Sequence, residues 1–308
     1  MSHAWVTTIP APGHPRSRQG YCRGVPSSLR DSVAFRRPLP SLIHAVELPH
    51  PDLPPELEGL TILQISDLHI RRWAPASESL GRLIEAIESV ETDLVVFTGD
   101  LMDAPGQEQA TIQTLQALFD AMRARAGVLA VYGNHDTPLL RRLAPGALPG
   151  IRFLDNQFTT IELHAKRLEI LGLSFPEDPL SALLRRPAGC PRPFLTLAHH
   201  PTCLIACADL ALPLVLAGHT HAGQVRVSPT LAPHTSSDVP VHQATGVLRL
   251  RSTLMAISRG VGDGVVEGLR INCPRQLPLY TLRRAPLPTP HGLVGAFDDR
   301  VVTQVVAW

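Results

Sequence analysis

Asp67 and His69 are one hard oxygen donor and one imidazole, separated by a single residue. Such a pair can hold a divalent transition metal. Four more segments repeat the theme: Asp100 after Gly99, Asn134-His135-Asp136 after Gly133, His199 after Ala198, and His219-Thr220-His221 after Gly218. A lone histidine at a strand end is usually an ordinary hydrogen-bonded residue. Five segments that each close an apolar run with carboxylate, amide or imidazole point instead to shared metal ligation. A two-metal site needs roughly four ligands per ion and an anionic ligand between the ions. Asp100, with two carboxylate oxygens, suits the shared place, and Gly99 before it lets the backbone turn tightly.

The elements that must position these residues are legible around them. Leu60, Ile62, Leu63 and Ile65 form a short apolar run of the kind a doubly buried strand shows. A strand repeats every two residues, so Asp67 and His69 are expected on one side. Leu80, Leu83, Ile84 and Ile87 recur at helical spacing, with Ser77 or Ser79 as N-cap. Residues 93–98 read as the next strand, residues 107–125 as a second helix and residues 127–132 as a third strand. This β-α-β-α-β opening predicts a sheet with helices packed on it and a site at the strands' carboxyl ends. The second half has shorter, closely spaced strands at 158–163, 168–173, 194–198, 214–216, 225–227, 246–250, 254–258 and 279–282. Residues 43–48 read as an edge strand, and 202–209 as a short helix.

Composition narrows the classes. The chain has 308 residues, 44% apolar and 18% charged, which allows a large core and excludes wholesale disorder. A net charge of +1 makes no case for a nucleic acid or other strongly anionic partner, and no protein partner is indicated. Five scattered cysteines do not form a disulfide framework, and Cys203 and Cys207 read as small buried side chains on one helix face. Residues 1–42 read as a poorly structured, proline-rich extension; its first 40 residues carry six arginines against Asp31, a net +5. A solvated tail is the plain reading, and a peripheral contact with membrane lipid the alternative. There is no apolar run long enough to span a membrane and no export signal, so a cytoplasmic chain is the default expectation. Residues 43–284 are expected to form the catalytic domain, followed by a tail at 285–308.

The ordered set Asp-x-His, Gly-Asp, Gly-Asn-His-Asp, His, Gly-His-x-His resembles the calcineurin-like metallophosphoesterase superfamily. The motifs span residues 60–224 and are specific as a set. Gly218 to Gln224, Ser258 to Gly262 and Arg270 to Pro274 resemble a bacterial, often membrane-associated branch, in which Ala222 is more usually glycine. The resemblance implies an α/β fold, a four-layer α/β/β/α sandwich of two mixed sheets. It implies two divalent metal ions, chosen among Mn, Fe, Zn and Ni. Asp67, His69 and His221 would hold one, Asn134, His199 and His219 the other, and Asp100 would bridge. His135 would face the substrate, oriented by Asp136; His200 would line the pocket. Arg259 has two readings, a contact to phosphate and a structural salt bridge. The implied reaction is hydrolysis of a phosphomonoester or phosphodiester by a metal-bridging hydroxide. Alternatives are a pyrophosphatase on a lipid-linked sugar nucleotide, a cyclic-nucleotide phosphodiesterase, and a non-catalytic scaffold of the same fold. Substrate choice is assigned to loops at 71–77, 174–193 and 228–243.

Overall fold

The computed structural model describes residues 6–8, 42–71, 78–163, 166–228, 231–235, 237, 239–264, 269–289, 294–297 and 300–306. Most of the expected amino-terminal extension and Ser77 lie outside these.

The first sheet contains β1 (Val6–Thr8), β2 (Ile43–Pro49), β3 (Thr61–Ile65), β4 (Leu94–Thr98), β5 (Val128–Val131) and β6 (Ile151–Phe153). The second contains β7 (Gln157–Leu163), β8 (Lys166–Gly172), β9 (Leu195–Leu197), β10 (Leu214–Ala217), β11 (Gly246–Leu250) and β12 (Thr253–Ile257). A late strand, β13 (Leu277–Arg283), returns to the first sheet. In the tail, β14 (Val294–Phe297) and β15 (Arg300–Val306) extend the second. The spatial orders are β1-β2-β13-β3-β4-β5-β6 and β14-β15-β11-β12-β10-β9-β8-β7. Both sheets are mixed. β3 to β6 run parallel while β13 opposes β3, and β8, β9, β10 and β12 run parallel while β7 and β11 oppose their neighbours.

Strand periodicity explains the layers. In β4, Val95 and Phe97 face one apolar cluster while Leu94 and Val96 face another; β5 divides the same way. The first cluster lies beneath helices α1 (Glu78–Glu88), α2 (Glu108–Ala121) and α3 (Pro138–Ala147). The second lies between the sheets, where Ile62, Val96 and Val131 share a cluster with Ile170, Leu197 and Leu216. A third joins Val215, Met255 and Ile257 to α4 (Pro179–Leu184) and α5 (Leu204–Asp209). Helix, sheet, sheet, helix is the four-layer α/β/β/α sandwich. Strands sandwiched on both faces are buried at every position, as β3, β4 and β5 are, and their polar members are paired: Thr61 Oγ1 donates to Asp93 Oδ2 and Gln64 Nε2 to Thr98 Oγ1.

Several local expectations differ. Residues 43–48 are not an edge strand, because β2 pairs with β1 on one side and β13 on the other. Residues 225–227 make only a single bridge, Val225 to Ile271. β6, α3 and α4 are additions to the elements expected from the sequence. Ser79 lies inside α1 rather than at its N-cap position. Among the described residues, no helix is long and apolar enough to cross a membrane.

Candidate metal centre

The parallel strands of both sheets end at one rim. Past β3 come Asp67 and His69; past β4, Asp100; past β5, Asn134, His135 and Asp136. From the second sheet, β9 leads to His199 and β10 to His219 and His221. The expectation that strand alternation aligns Asp67 with His69 is replaced by a different cause. Both residues lie beyond the strand, at φ of 53° and 43°. Asp100, His219 and His221 share this left-handed region, at 50°, 72° and 48°. Non-glycine residues seldom adopt it, and such strain concentrates at functional sites. The turns are held by neighbours: Asp67 N–H donates to Gly99 O at 3.1 Å, His69 N–H to Asp100 O at 3.0 Å, and His219 N–H to Asp67 Oδ1 at 2.8 Å.

Two glycines permit the close approach. Gly99, at φ 86°, would with a Cβ stand 2.7 Å from Gly133 N; a Cβ on Gly133 would stand 2.2 Å from Asp100 Oδ1.

The ligand-competent atoms form overlapping groups. Asp67, His69 and His221 have one ligand atom each within 4.8 Å of one another, as do Asp100, His199 and His219, and His69, Asp100 and His135. His69 Nε2 and His221 Nε2 are 2.9 Å apart, and His221 Nε2 lies 3.6 Å from Asp67 Oδ1. Asp100 Oδ2 stands 3.4 Å from His69 Nε2 and 3.3 Å from His199 Nε2. His199 Nε2 also lies 3.0 Å from Asn134 Oδ1 and 3.2 Å from His219 Nδ1. All these side chains are buried except Asn134, which is exposed, and His135, which is half-buried.

The donor set fits a divalent cation. Asp67 Oδ2 is buried and makes no hydrogen bond, and buried polar atoms are rarely left so. Burial raises the Asp67 carboxyl, and the neighbouring Asp100 charge adds to that. Burial resists charge on His199, yet the Asp100 carboxylate overcomes it and pushes the imidazole up to about 10. The site's field therefore gathers positive charge, which metal ions supply without unpaired buried carboxylates.

Around the candidate ligands stand residues that motif reading missed. Asp103 Oδ1 lies 3.3 Å from His69 Nδ1, and Arg71 Nε pairs with its other oxygen at 2.9 Å. Asp103 O lies 2.7 Å from His135 Nδ1, so it accepts that ring's proton and leaves Nε2 facing away. Asp136 does not touch the His135 ring. Its carboxylate accepts the amides of Leu101, Met102 and Gly133 at 2.9, 3.2 and 2.7 Å, tying the ends of β4 and β5 together. Glu177 Oε1 accepts the amides of His199 and His200 at 3.2 and 2.7 Å. Arg141 reaches Gly133 O, Phe175 O and Asp136 O at 3.0, 2.7 and 3.2 Å. The His200 ring lies tilted against that of His219, with centroids 3.8 Å apart and planes at 35°. Asp103, three residues after Asp100, was the one signal available; Glu177 and Arg141 have no sequence signature.

A two-sheet sandwich whose rim gathers carboxylates, an amide and imidazoles is built for metal-assisted hydrolysis. Residues 60–223 match the calcineurin-like phosphoesterase family, and the chain belongs to it. The Escherichia coli phosphodiesterase YaeI is 30% identical over 234 residues, 72% of this chain and 81% of that one. The Bacillus subtilis uncharacterised metallophosphoesterase YkuE is 29% identical over 244 residues, 75% of this chain and 82% of its own. A shorter match of 80 residues, 38% identical, joins 26% of this chain to 23% of the Chlamydia trachomatis UDP-2,3-diacylglucosamine pyrophosphatase LpxG. Membership carries the coarse activity, metal-dependent hydrolysis of phosphate esters.

Proposed function

We propose that the centre takes two divalent ions and hydrolyses phosphate esters, diesters first and monoesters second. Asp67, His69 and His221 form one ligand group, Asn134, His199 and His219 the other, and Asp100 is shared. The observation that carries this reading is Asp100 Oδ2, which faces His69 Nε2 at 3.4 Å and His199 Nε2 at 3.3 Å, one imidazole from each group. Imidazole, amide and carboxylate donors without thiolate suit Mn, Fe, Zn or Ni. Bound divalent ions supply an acidified water near neutral pH and neutralise phosphoryl charge.

The chain's own residues do the rest. His135 has Nδ1 engaged by Asp103 O, so Nε2 is the nitrogen available to substrate. As imidazolium it donates to a phosphoryl or leaving oxygen, the work of a general acid. Asp136 acts on His135 through the backbone, by fixing the 133–136 turn. The name of the E. coli relative supports the diester preference. The scaffold alternative requires an eroded ligand set, and the convergence of the groups argues against it.

The test uses metal-stripped protein with Mn, Fe, Zn, Ni or Mg added back, assayed on bis(p-nitrophenyl) phosphate and p-nitrophenyl phosphate. Metal-dependent turnover supports the reading, and the ratio of rates ranks diester against monoester. Protein that binds no metal at all would remove it.

A further inference from the structure

Two extended stretches beside the centre have their faces reversed. Val225–Val227 and Leu269–Ile271 meet at the Val225–Ile271 bridge, where Arg226 N–H donates to Ile271 O and Ile271 N–H to Gln224 O. Along each, alternate residues point opposite ways. Arg226 is 4% exposed and the Arg270 side chain 6%, while Val227, Leu269 and Ile271 are 68%, 40% and 44% exposed. Charged groups normally take the wet face and aliphatic ones the dry face. This wall gives up both preferences to keep two guanidiniums inside.

A third guanidinium completes the wall. Arg259 is half-buried, and its Nε is enclosed without a hydrogen bond. Among the described residues no carboxylate pairs with it. Asp263 is already shared by Arg270 Nε at 3.1 Å and Arg275 Nη2 at 2.6 Å. Burial lowers the Arg259 guanidinium, and the neighbouring Arg226 and Arg270 charges add to that, against an opposing contribution from Cys273. The group lies at the metal rim. Arg270 Nη2 donates to Arg259 O at 3.1 Å and stands 3.3 Å from His221 Nδ1. Gly260, next to Arg259, would with a Cβ stand 2.7 Å from Asp67 Cβ. Converging guanidiniums with an unfilled donor recognise tetrahedral oxyanions by forked hydrogen bonds.

We propose that Arg259, backed by Arg226 and Arg270, forms a second oxyanion subsite beside the metal centre, and that the substrate carries a second phosphoryl group adjacent to the scissile one. The assignment rests on the phosphoesterase reading for its scissile phosphate. It accounts for the unpaired Arg259 and for the reversed faces of the wall together.

The test is calorimetric titration of metal-loaded protein carrying His135→Ala, so that neither ligand is turned over, with P1,P2-di(adenosine-5′) diphosphate and with adenylyl-(3′,5′)-adenosine. Both ligands carry two adenosines, and they differ in having two phosphoryl groups or one. The chain with Arg259 in place is expected to prefer the diphosphate by about tenfold or more, the worth of charge-assisted hydrogen bonds to one phosphoryl group. Arg259→Ala is expected to bring the two affinities within about threefold. Arg259→Lys, which keeps charge without the fork, should fall between. Metal content and thermal unfolding report whether a variant is intact, and Arg259→Gln is read by the same ratio if Arg259→Ala unfolds. No preference with Arg259 in place, or the same preference in intact Arg259→Ala or Arg259→Gln, overturns the subsite. Because affinity is read without turnover, an Arg259-dependent preference in a protein that hydrolyses no ester even with His135 in place would overturn the catalytic reading alone.

Discussion

Asp100 uses its two oxygens differently. Oδ1 accepts the His135 amide at 2.9 Å, while Oδ2 faces His69 and His199. One side chain thus anchors the turn that carries His135 and, on the proposed assignment, would be shared by the two ligand groups. Removing either residue should separate the two jobs. His135→Ala is expected to keep its metals and lose turnover on the order of 10²- to 10⁴-fold, the range for a positioned acid. Asp100→Ala should lose metal and activity together, and full metal content in that variant would refute the shared-ligand assignment. Asp103 divides its work between side chain and backbone. Its carboxylate lies on His69 Nδ1 and its carbonyl on His135 Nδ1. Asp103→Asn is therefore expected to weaken metal binding roughly ten- to hundredfold while leaving the His135 ring in place. Equilibrium dialysis and kcat at saturating metal check the two halves: kcat should recover once metal is restored.

At the scale of elements, much of the site was legible because strand ends advertise themselves. An apolar run followed by Gly99-Asp100 or Gly218-His219 marks both the buried strand and the turn beyond it. The left-handed turns at Asp67, His69 and His221 were not legible, since φ is set by neighbours such as Gly262 N–H on Asp67 O at 2.7 Å. Nor was the placement of β13 between β2 and β3, a pairing across more than two hundred residues. Local pattern names a strand but not its partner. That long-range pairing encloses His44, which sits in β2 beside β13. Burial, and then the Arg259 charge, lower His44 from 6.5 to about 4. Between these values the unfolded chain holds a proton there that the folded chain does not. This contribution is intact above pH 6.5 and is lost as the pH falls toward 4, by at most about 3 kcal/mol. His44→Gln should flatten the fall in denaturant stability over that window relative to the unaltered chain. Parallel curves would show that His44 does not titrate as its burial requires.

The whole molecule is two sheets meeting at a wide apolar interface and a narrow polar rim. The interface, from Val46 and Ile62 to Leu216 and Ala256, is apolar and held by non-directional burial. The rim is directional. Asp67, His69, Asp100 and Asn134 come from the first sheet, and His199, His219 and His221 from the second. Ions bound there would cross-link the layers at the rim where Asp67 and Asp100 are buried. Without them, His199 carries the compensating positive charge, pushed up to about 10 chiefly by Asp100. The metal-free chain is thus expected to stay folded but with a looser rim. Chelation should lower the unfolding midpoint, and restoring metal at a hundred times its Kd should return about 2.7 kcal/mol per site. Hydrogen exchange should locate the change: amides past β3, β4 and β10 open faster on chelation, while those of β9 and β12 at the core do not. Uniform loss of protection throughout both sheets would mean that the ions hold the whole fold, not its rim.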